Sequence, residues 1–170
     1  LGEGPLWQAG ENSVYWVDIF NQQVHRLTLG NGARRTWTFD VAITSLVARA
    51  SGGFVGTVRD GFAFIDLATK TIEPIVLPEL NLPGNRFNDG KVDVNGRFWA
   101  GSMDDAGKVN SGSLYRLDPD LSLHKVDSPY TISNGPTFSV DGKTLYHTDS
   151  YETIIYAFDL QADGSIENKR

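Results

Sequence analysis

The chain has 170 residues, and 21 acidic against 15 basic side chains give it a formal charge of −6. This length suits one domain or slightly more, and an apolar fraction of 40% is enough for a hydrophobic core, which argues against intrinsic disorder. The acidic balance argues against a nucleic-acid or anionic-membrane partner, no apolar run is long enough to span a bilayer, and the absence of cysteine excludes disulfides, thiolate metal sites and a cysteine nucleophile.

Short segments rich in β-branched and aromatic residues follow one another along the chain, and no window has the apolar period of a helix. A first type of segment occurs at residues 14–18, 54–57, 98–101 and 145–149, and a second type follows it at 24–27, 62–66, 114–118 and 155–159. When Trp16, Val55, Trp99 and Tyr146 are taken as equivalent, the intervals are 39, 44 and 47 residues. This period is typical of propeller blades.

The chain is therefore predicted to be an all-β protein with the β-propeller fold, and a β-sandwich with accidental regularity is the alternative. About four blade-like units are expected, approximately at residues 1–40, 41–80, 85–127 and 130–170. The third unit carries an insertion in a hairpin loop at residues 104–110, and the fourth is expected to lack its outer strand. Since four-bladed rings are rare, we expect residues 1–170 to be one incomplete propeller domain, cut at Arg170.

Asn-Gly and Asp-Gly dipeptides separate the strand-like segments, because glycine tolerates the positive φ of tight hairpin turns. On this basis Asp89-Gly90 and Asp141-Gly142 are predicted to be turns. Asp18 and Asp149 end equivalent segments and are expected to cap backbone amides.

Three blocks of residues carry a family resemblance. They are residues 1–5 with 15–19 (LGEGP and YWVDI), residues 85–93 with 96–101 (NRFNDGKVD and GRFWAG), and residues 132–136 with 141–146 and 148–150. In this order and spacing they resemble the regucalcin/gluconolactonase family, also called the senescence marker protein or luciferin-regenerating enzyme family. The resemblance covers essentially the whole chain. Two departures are Pro136, where a larger aliphatic residue is more usual, and His147, where an aromatic residue often sits.

The resemblance implies a six-bladed propeller that binds one divalent cation and hydrolyses a sugar lactone. Glu3 and Asn134 match two of the family's metal ligands, and Arg86 and Asn88 match positions that contact substrate. The third ligand is an Asp expected beyond Arg170, so no catalytic residue is assigned within the chain. Calcium is the expected ion, with zinc, magnesium and manganese as alternatives.

The chemistry of these residue types agrees with that function. Carboxylate and amide oxygens suit hard divalent cations, and a cation with open positions polarises a carbonyl and acidifies a bound water. The donors of Arg86 could hold sugar oxygens. A serine hydrolase is disfavoured because no Gly-x-Ser-x-Gly occurs. His25, His124 and His147 lack zinc-site spacing and are expected to be partly buried strand residues.

Read without the family, the same residues have plainer interpretations. Glu3 would be an exposed loop residue, Asn134 part of an Asn-Gly turn, and Arg86 and Asn88 side chains that close a loop through backbone hydrogen bonds.

Two other functions remain open. The first is a non-enzymatic binding propeller, because Tyr15-Trp16-Val17-Asp18 resembles the Tyr-Trp-Thr-Asp repeats of receptor propellers, although residues 54–57 and 98–101 break that pattern. The second is an inactive fragment that lacks the third metal ligand. A cytoplasmic protein is expected, with a periplasmic or secreted one as alternatives, and the oligomeric state is left open.

Overall fold

The computed structural model describes all of residues 1–170, and apart from one short 3-10 helix at Ala9–Glu11 its regular structure is entirely β. Sixteen strands form four antiparallel sheets, each of four consecutive strands. This confirms the prediction of an all-β propeller fold with four blade-like repeats, and each sheet is called a blade below. None of the helical structure is long and apolar enough to cross a membrane.

The chain divides into two units, Leu1–Pro78 and Glu79–Arg170, with two blades each. The expectation of one propeller domain over the whole chain stays a prediction. In unit 1, blade 1 consists of β1 (Gly2–Gln8), β2 (Ser13–Asp18), β3 (Gln23–Thr28) and β4 (Arg34–Thr38), and blade 2 of β5 (Ile43–Ala48), β6 (Phe54–Val58), β7 (Gly61–Asp66) and β8 (Thr71–Val76).

Unit 2 contains blades 3 and 4. Blade 3 consists of β9 (Asn85–Val92), β10 (Phe98–Asp104), β11 (Gly112–Leu117) and β12 (Leu123–Tyr130), and blade 4 of β13 (Ser133–Phe138), β14 (Thr144–Asp149), β15 (Ile154–Leu160) and β16 (Ile166–Glu167). The expectation that the fourth unit lacks its outer strand is wrong. β16 is only two residues long, but Arg170 continues the pairing through two backbone hydrogen bonds with Ala157.

Each unit has its own hydrophobic core between its two blades. The core of unit 1 is built by residues from both of its sheets, including Tyr15, Val17, Trp37, Ile43, Leu46 and Ile65. The core of unit 2 contains Trp99, Leu114, Tyr130, Leu145 and Phe158. Strand alternation explains this pattern, because every second side chain points into the gap between neighbouring sheets.

The first strand of each blade carries an irregularity in its pairing with the second strand. In β1 it falls between Glu3 and Leu6, and in β13 between Asn134 and Thr137. In β9 it falls opposite the step from Ala100 to Ser102. Bulges of this kind redirect side chains away from strict alternation and are common beside functional sites.

The bulge in β9 also corrects one sequence prediction. Asp89-Gly90 lies within β9 and is not a turn. One carboxylate oxygen of Asp89 accepts a hydrogen bond from the amide of Gly90, and the other accepts one from the amide of Gly135 in blade 4. Asp89 therefore ties the bulges of two neighbouring strands together instead of reversing the chain.

Candidate functional site

The two predicted metal ligands occupy the same position in their respective blades. Glu3 precedes Gly4 and Pro5 at the bulge of β1, and Asn134 precedes Gly135 and Pro136 at the bulge of β13. Both glycines adopt positive φ, +57° for Gly4 and +45° for Gly135, a conformation that other residues adopt only with strain. The repeated Gly-Pro pair therefore gives Glu3 and Asn134 equivalent local geometry.

A row of hydrogen-bonded polar side chains crosses unit 2 from blade 3 to blade 4. Arg86 Nη1 donates to Asn88 Oδ1 at 2.7 Å, and Asn88 Nδ2 donates to Asn134 Oδ1 at 2.9 Å. Asn134 Nδ2 in turn donates to Ser150 Oγ at 2.8 Å, and Arg86 Nε donates to Asp105 Oδ1 at 2.7 Å. The structure thus brings together three of the four predicted site residues, Arg86, Asn88 and Asn134.

Arg86 is held on two sides and keeps one donor group available. Its Nε pairs with Asp105, and its Nη1 donates to Asn88 and to the backbone oxygen of Phe87 at 3.0 Å. The Arg86 residue is only 8% exposed, whereas the side chain of Asp105 is 41% exposed. Because Nη2 donates to no group of the chain, two N–H donors in a fixed orientation remain for another molecule.

Asn88, like Arg86, makes three hydrogen bonds. Its Oδ1 accepts from Arg86, and its Nδ2 donates both to Asn134 and to the backbone oxygen of Ser133 at 2.8 Å. It is 6% exposed. Asn88 is therefore a rigid connector between blades 3 and 4, with one lone pair of Oδ1 left for a further contact.

The residues present fit a hard cation in their chemistry. Asn134 is half-buried, and its Oδ1 accepts a single hydrogen bond, so the oxygen has a second lone pair to offer. Glu3 is also half-buried and belongs to unit 1. Oxygen donors of these types suit calcium, magnesium or manganese. No group of three or more His, Cys, Asp or Glu side chains that could hold a metal occurs in the chain.

Sequence reasoning missed a buried carboxylate in front of β9. Glu79 is 1% exposed, and it accepts hydrogen bonds from Asn85 Nδ2 at 2.7 Å, Ser102 Oγ at 2.9 Å and the Tyr115 hydroxyl at 2.6 Å. Burial, and secondarily the bond to Glu79, raise the pKa of Tyr115 well above its usual range. No motif marks Glu79, because its partners come from three separate strands.

Sequence reasoning also missed a buried hydrogen bond at Ser133, the residue before Asn134. His147 is fully buried, and its Nε2 lies 2.9 Å from Ser133 Oγ. The expectation that His147 is a partly buried strand residue was therefore too weak, since it is one of the largest completely buried side chains. Asp149 caps the amides of Thr131 and Ile132 at 2.7 and 3.1 Å, as predicted, and so fixes the backbone that leads into Ser133.

We expect the buried imidazole of His147 to make the protein sensitive to acid. Burial lowers the pKa of His147 from its ordinary 6.5 to about 4, although Asp127 and Asp149 oppose this and Lys169 adds to it. Because the folded pKa is depressed, the unfolded chain binds the proton more readily, so this contribution to stability is complete near pH 7 and is lost as the pH falls from 6.5 towards 4. The loss should be about 2 kcal/mol between pH 7 and pH 5.

Urea unfolding at a series of pH values measures this effect. The His147→Phe variant should have a free energy of unfolding that depends less on pH over the same interval. Equal pH dependence in both proteins would mean that other groups govern the acid response.

Comparisons with known proteins agree with the sequence resemblance. Residues 1–170 match the family described as SMP-30/Gluconolactonase/LRE-like region. The chain is 37% identical to rabbit (Oryctolagus cuniculus) regucalcin over 176 residues, covering 99% of this chain and 58% of regucalcin. It is 33% identical to 6-deoxy-6-sulfogluconolactonase of Pseudomonas putida, covering 96% of this chain and 56% of that enzyme.

A solved structure shows the same fold. The calcium-binding protein regucalcin of Agrobacterium tumefaciens superimposes with a TM-score of 0.92 at 26% identity, covering 100% of this chain and 57% of that protein. The chain thus spans 56 to 58% of the length of these three relatives.

Proposed function

This chain belongs to the SMP-30/Gluconolactonase/LRE-like family, and from that premise we propose that the protein hydrolyses a sugar lactone with the help of one divalent cation. The observation that supports the proposal is the polar row from Arg86 through Asn88 to Asn134, which combines a fixed cationic donor with an amide oxygen suited to a cation. Relatives that are 33% identical to the chain carry lactonase names.

Glu3 and Asn134 would hold the cation, through a carboxylate and an amide oxygen at equivalent bulges of their blades. When bound, a divalent cation of this kind would polarise the lactone carbonyl and lower the pKa of a water molecule beside it. Calcium is the proposed ion because the ligands are oxygens and because the solved relative from Agrobacterium tumefaciens is described as calcium-binding.

Arg86 would orient the substrate. Its Nη2 would donate to hydroxyl or ring oxygens of the sugar, and Asp105 keeps the guanidinium from turning away. Asn88 would keep Arg86 and Asn134 at a constant separation, so that the bound sugar and the cation stay in register. The proton acceptor is not assigned among residues 1–170, and the family resemblance implies that it is an aspartate.

Lactone hydrolysis is expected to depend on a cation and on the polar row. We expect the complete polypeptide that the reading frame encodes to hydrolyse glucono-1,5-lactone, measured by acid release in a pH-stat with calcium present. Excess chelator should abolish turnover, and calcium should restore it. Arg86→Ala should lower kcat/KM about 10- to 100-fold, because charge-assisted hydrogen bonds to the substrate are lost.

Exposed residues of the same types provide the controls. Arg34→Ala and Asn81→Ala remove one exposed side chain of each kind and should leave turnover unchanged. A wild-type protein without chelator-sensitive turnover of glucono-1,5-lactone or other sugar lactones would count against the enzyme and in favour of a non-enzymatic propeller. A calcium titration separates these alternatives further, since the binding propeller predicts no tight cation site.

A further inference from the structure

We propose that His147 is a positioning residue that acts through Ser133 to hold Asn88 and Asn134 in place. The inference rests on the proposed function, because it assigns His147 a part in shaping the site where the cation would bind. Three sets of contacts in unit 2 support it.

Ser133 is held from two directions. Its Oγ lies 2.9 Å from His147 Nε2, and its backbone oxygen accepts the bond from Asn88 Nδ2 at 2.8 Å. Asn134 is the next residue in the chain, and its Oδ1 accepts the second bond from the same Asn88 nitrogen. A shift of the backbone at Ser133 would therefore move both acceptors of Asn88 together.

The side chain of Ser133 packs closely against β10. The space where a Cβ on Gly101 would lie is only 1.6 Å from Ser133 Oγ and 3.2 Å from His147 Cε1. The serine hydroxyl thus lies directly against the backbone of β10, and only glycine at position 101 permits this arrangement. The hydroxyl therefore contacts both the backbone of β10 and the imidazole of His147.

The ring of His147 is tightly packed. It is fully buried, and its ring meets Tyr130 edge-on with 4.5 Å between ring centroids. Its Nδ1 has no hydrogen-bond partner, so its bond to Ser133 is the one polar contact that compensates for burial of the ring. A phenylalanine would fill the same space without that cost. Since the imidazole adds only this bond, the contact with Ser133 is what distinguishes His147 from an aromatic residue.

Three variants and one matched control test the role. His147→Phe keeps the ring and removes the bond, His147→Gln restores a polar group that reaches Ser133, and Ser133→Ala removes the hydroxyl with little loss of volume. His25→Phe is the control, because the His25 ring is also 2.9 Å from a hydroxyl across a strand pair, that of Thr36 in blade 1.

Two readouts are needed on the complete polypeptide. Calorimetric titration with calcium should give a Kd about five- to tenfold weaker in His147→Phe and Ser133→Ala, near the wild-type value in His147→Gln, and unchanged in His25→Phe. NMR of the cation-free protein should show shifted side-chain amide resonances of Asn88 and Asn134 in His147→Phe and Ser133→Ala, and unshifted ones in His147→Gln and His25→Phe.

The outcomes separate this inference from the proposed function. Wild-type protein that binds no calcium would overturn the proposed cation site, and the amide resonances would still decide whether His147 positions the two asparagines. Unchanged resonances in both His147→Phe and Ser133→Ala would overturn the inference. If His147→Phe fails to fold, Ser133→Ala decides it alone, since that change leaves the aromatic packing intact.

Discussion

Replacing Gly101 with alanine is expected to lower the free energy of unfolding by about 4 kcal/mol, at the upper end of what single substitutions do. The new methyl group would lie 1.6 Å from Ser133 Oγ and 2.7 Å from Ser133 Cβ. Ser133 cannot withdraw, because its side chain is bonded to His147 and its backbone oxygen to Asn88. The strain must therefore spread into the strand pairing of blades 3 and 4.

Urea unfolding followed by tryptophan fluorescence measures the change. Gly10→Ala is the control, since a Cβ at position 10 meets no atom within 4 Å, and it should change stability by no more than about 0.5 kcal/mol. Adding Ser133→Gly to Gly101→Ala removes both clashing atoms and should recover about 2 kcal/mol. A Gly101→Ala protein as stable as Gly10→Ala would show that β10 and β13 are not packed as closely as described.

Much of the fold could be predicted because it is repeated locally. Alternating β-branched and aromatic residues with turn dipeptides predict strands wherever they occur, and the period of the repeat predicts blades. The period does not predict which residue of one blade corresponds to which residue of another. The ladders pair Glu3 with Val17 and Asn134 with Thr148, so His147 and not Tyr146 is the counterpart of Trp16. A slip of one residue inverts the faces of a strand, which periodicity alone does not detect.

The Asp89-Gly90 prediction failed for a related reason. The dipeptide has the composition of a hairpin turn, but a bulge uses the same residue types inside a strand. What decides between them is the bond from the Gly135 amide to Asp89, a contact 46 residues away along the chain. β16 was missed for a different reason. It is only two residues long, Ile166–Glu167, which is too short to show an alternating pattern, and its pairing with β15 appears only in the folded chain.

In the candidate site, too, residues in recognisable short segments could be predicted, whereas contacts between residues distant in sequence could not. Arg86, Asn88 and Asn134 could be selected because they lie in short blocks that resemble a family. Ser133 lies in such a block as well, but its link to His147 depends on pairing between β13 and β14. Asp105 lies in the hairpin insertion, and only the folded chain shows that it contacts Arg86.

Glu79 stabilises the start of β9, the strand that carries the site residues Arg86 and Asn88. Its carboxylate holds Asn85, the first residue of β9, and Arg86 follows directly. Asn85 is bonded in turn to the Ser111 hydroxyl at 2.6 Å, on the other side of the hairpin loop that carries Asp105. The buried carboxyl group of Glu79 thus fixes the start of the strand and the loop that together hold Arg86. Its three hydrogen-bond donors, from Asn85, Ser102 and Tyr115, are all neutral groups.

Glu79→Ala should therefore cost about 3 to 4 kcal/mol of unfolding free energy. The substitution leaves the donors of Asn85, Ser102 and Tyr115 without their main acceptor inside the protein and opens a cavity among them. Glu79→Gln should cost less, because the amide oxygen can still accept from Ser102 and Tyr115 while Asn85 reorients.

Chemical unfolding of both variants beside Glu152→Ala, an exposed glutamate in the same unit, gives the comparison. The control should stay within about 0.5 kcal/mol of wild type. If the start of β9 orients Arg86, a folded Glu79→Gln protein should have a KM for a lactone that rises more than its kcat falls. The reason is that Arg86 is proposed to bind the substrate, so its displacement weakens substrate binding more than the chemical step. A Glu79→Ala protein as stable as Glu152→Ala would mean that the three donors find other partners, and that β9 is held by its ladder with β10 alone.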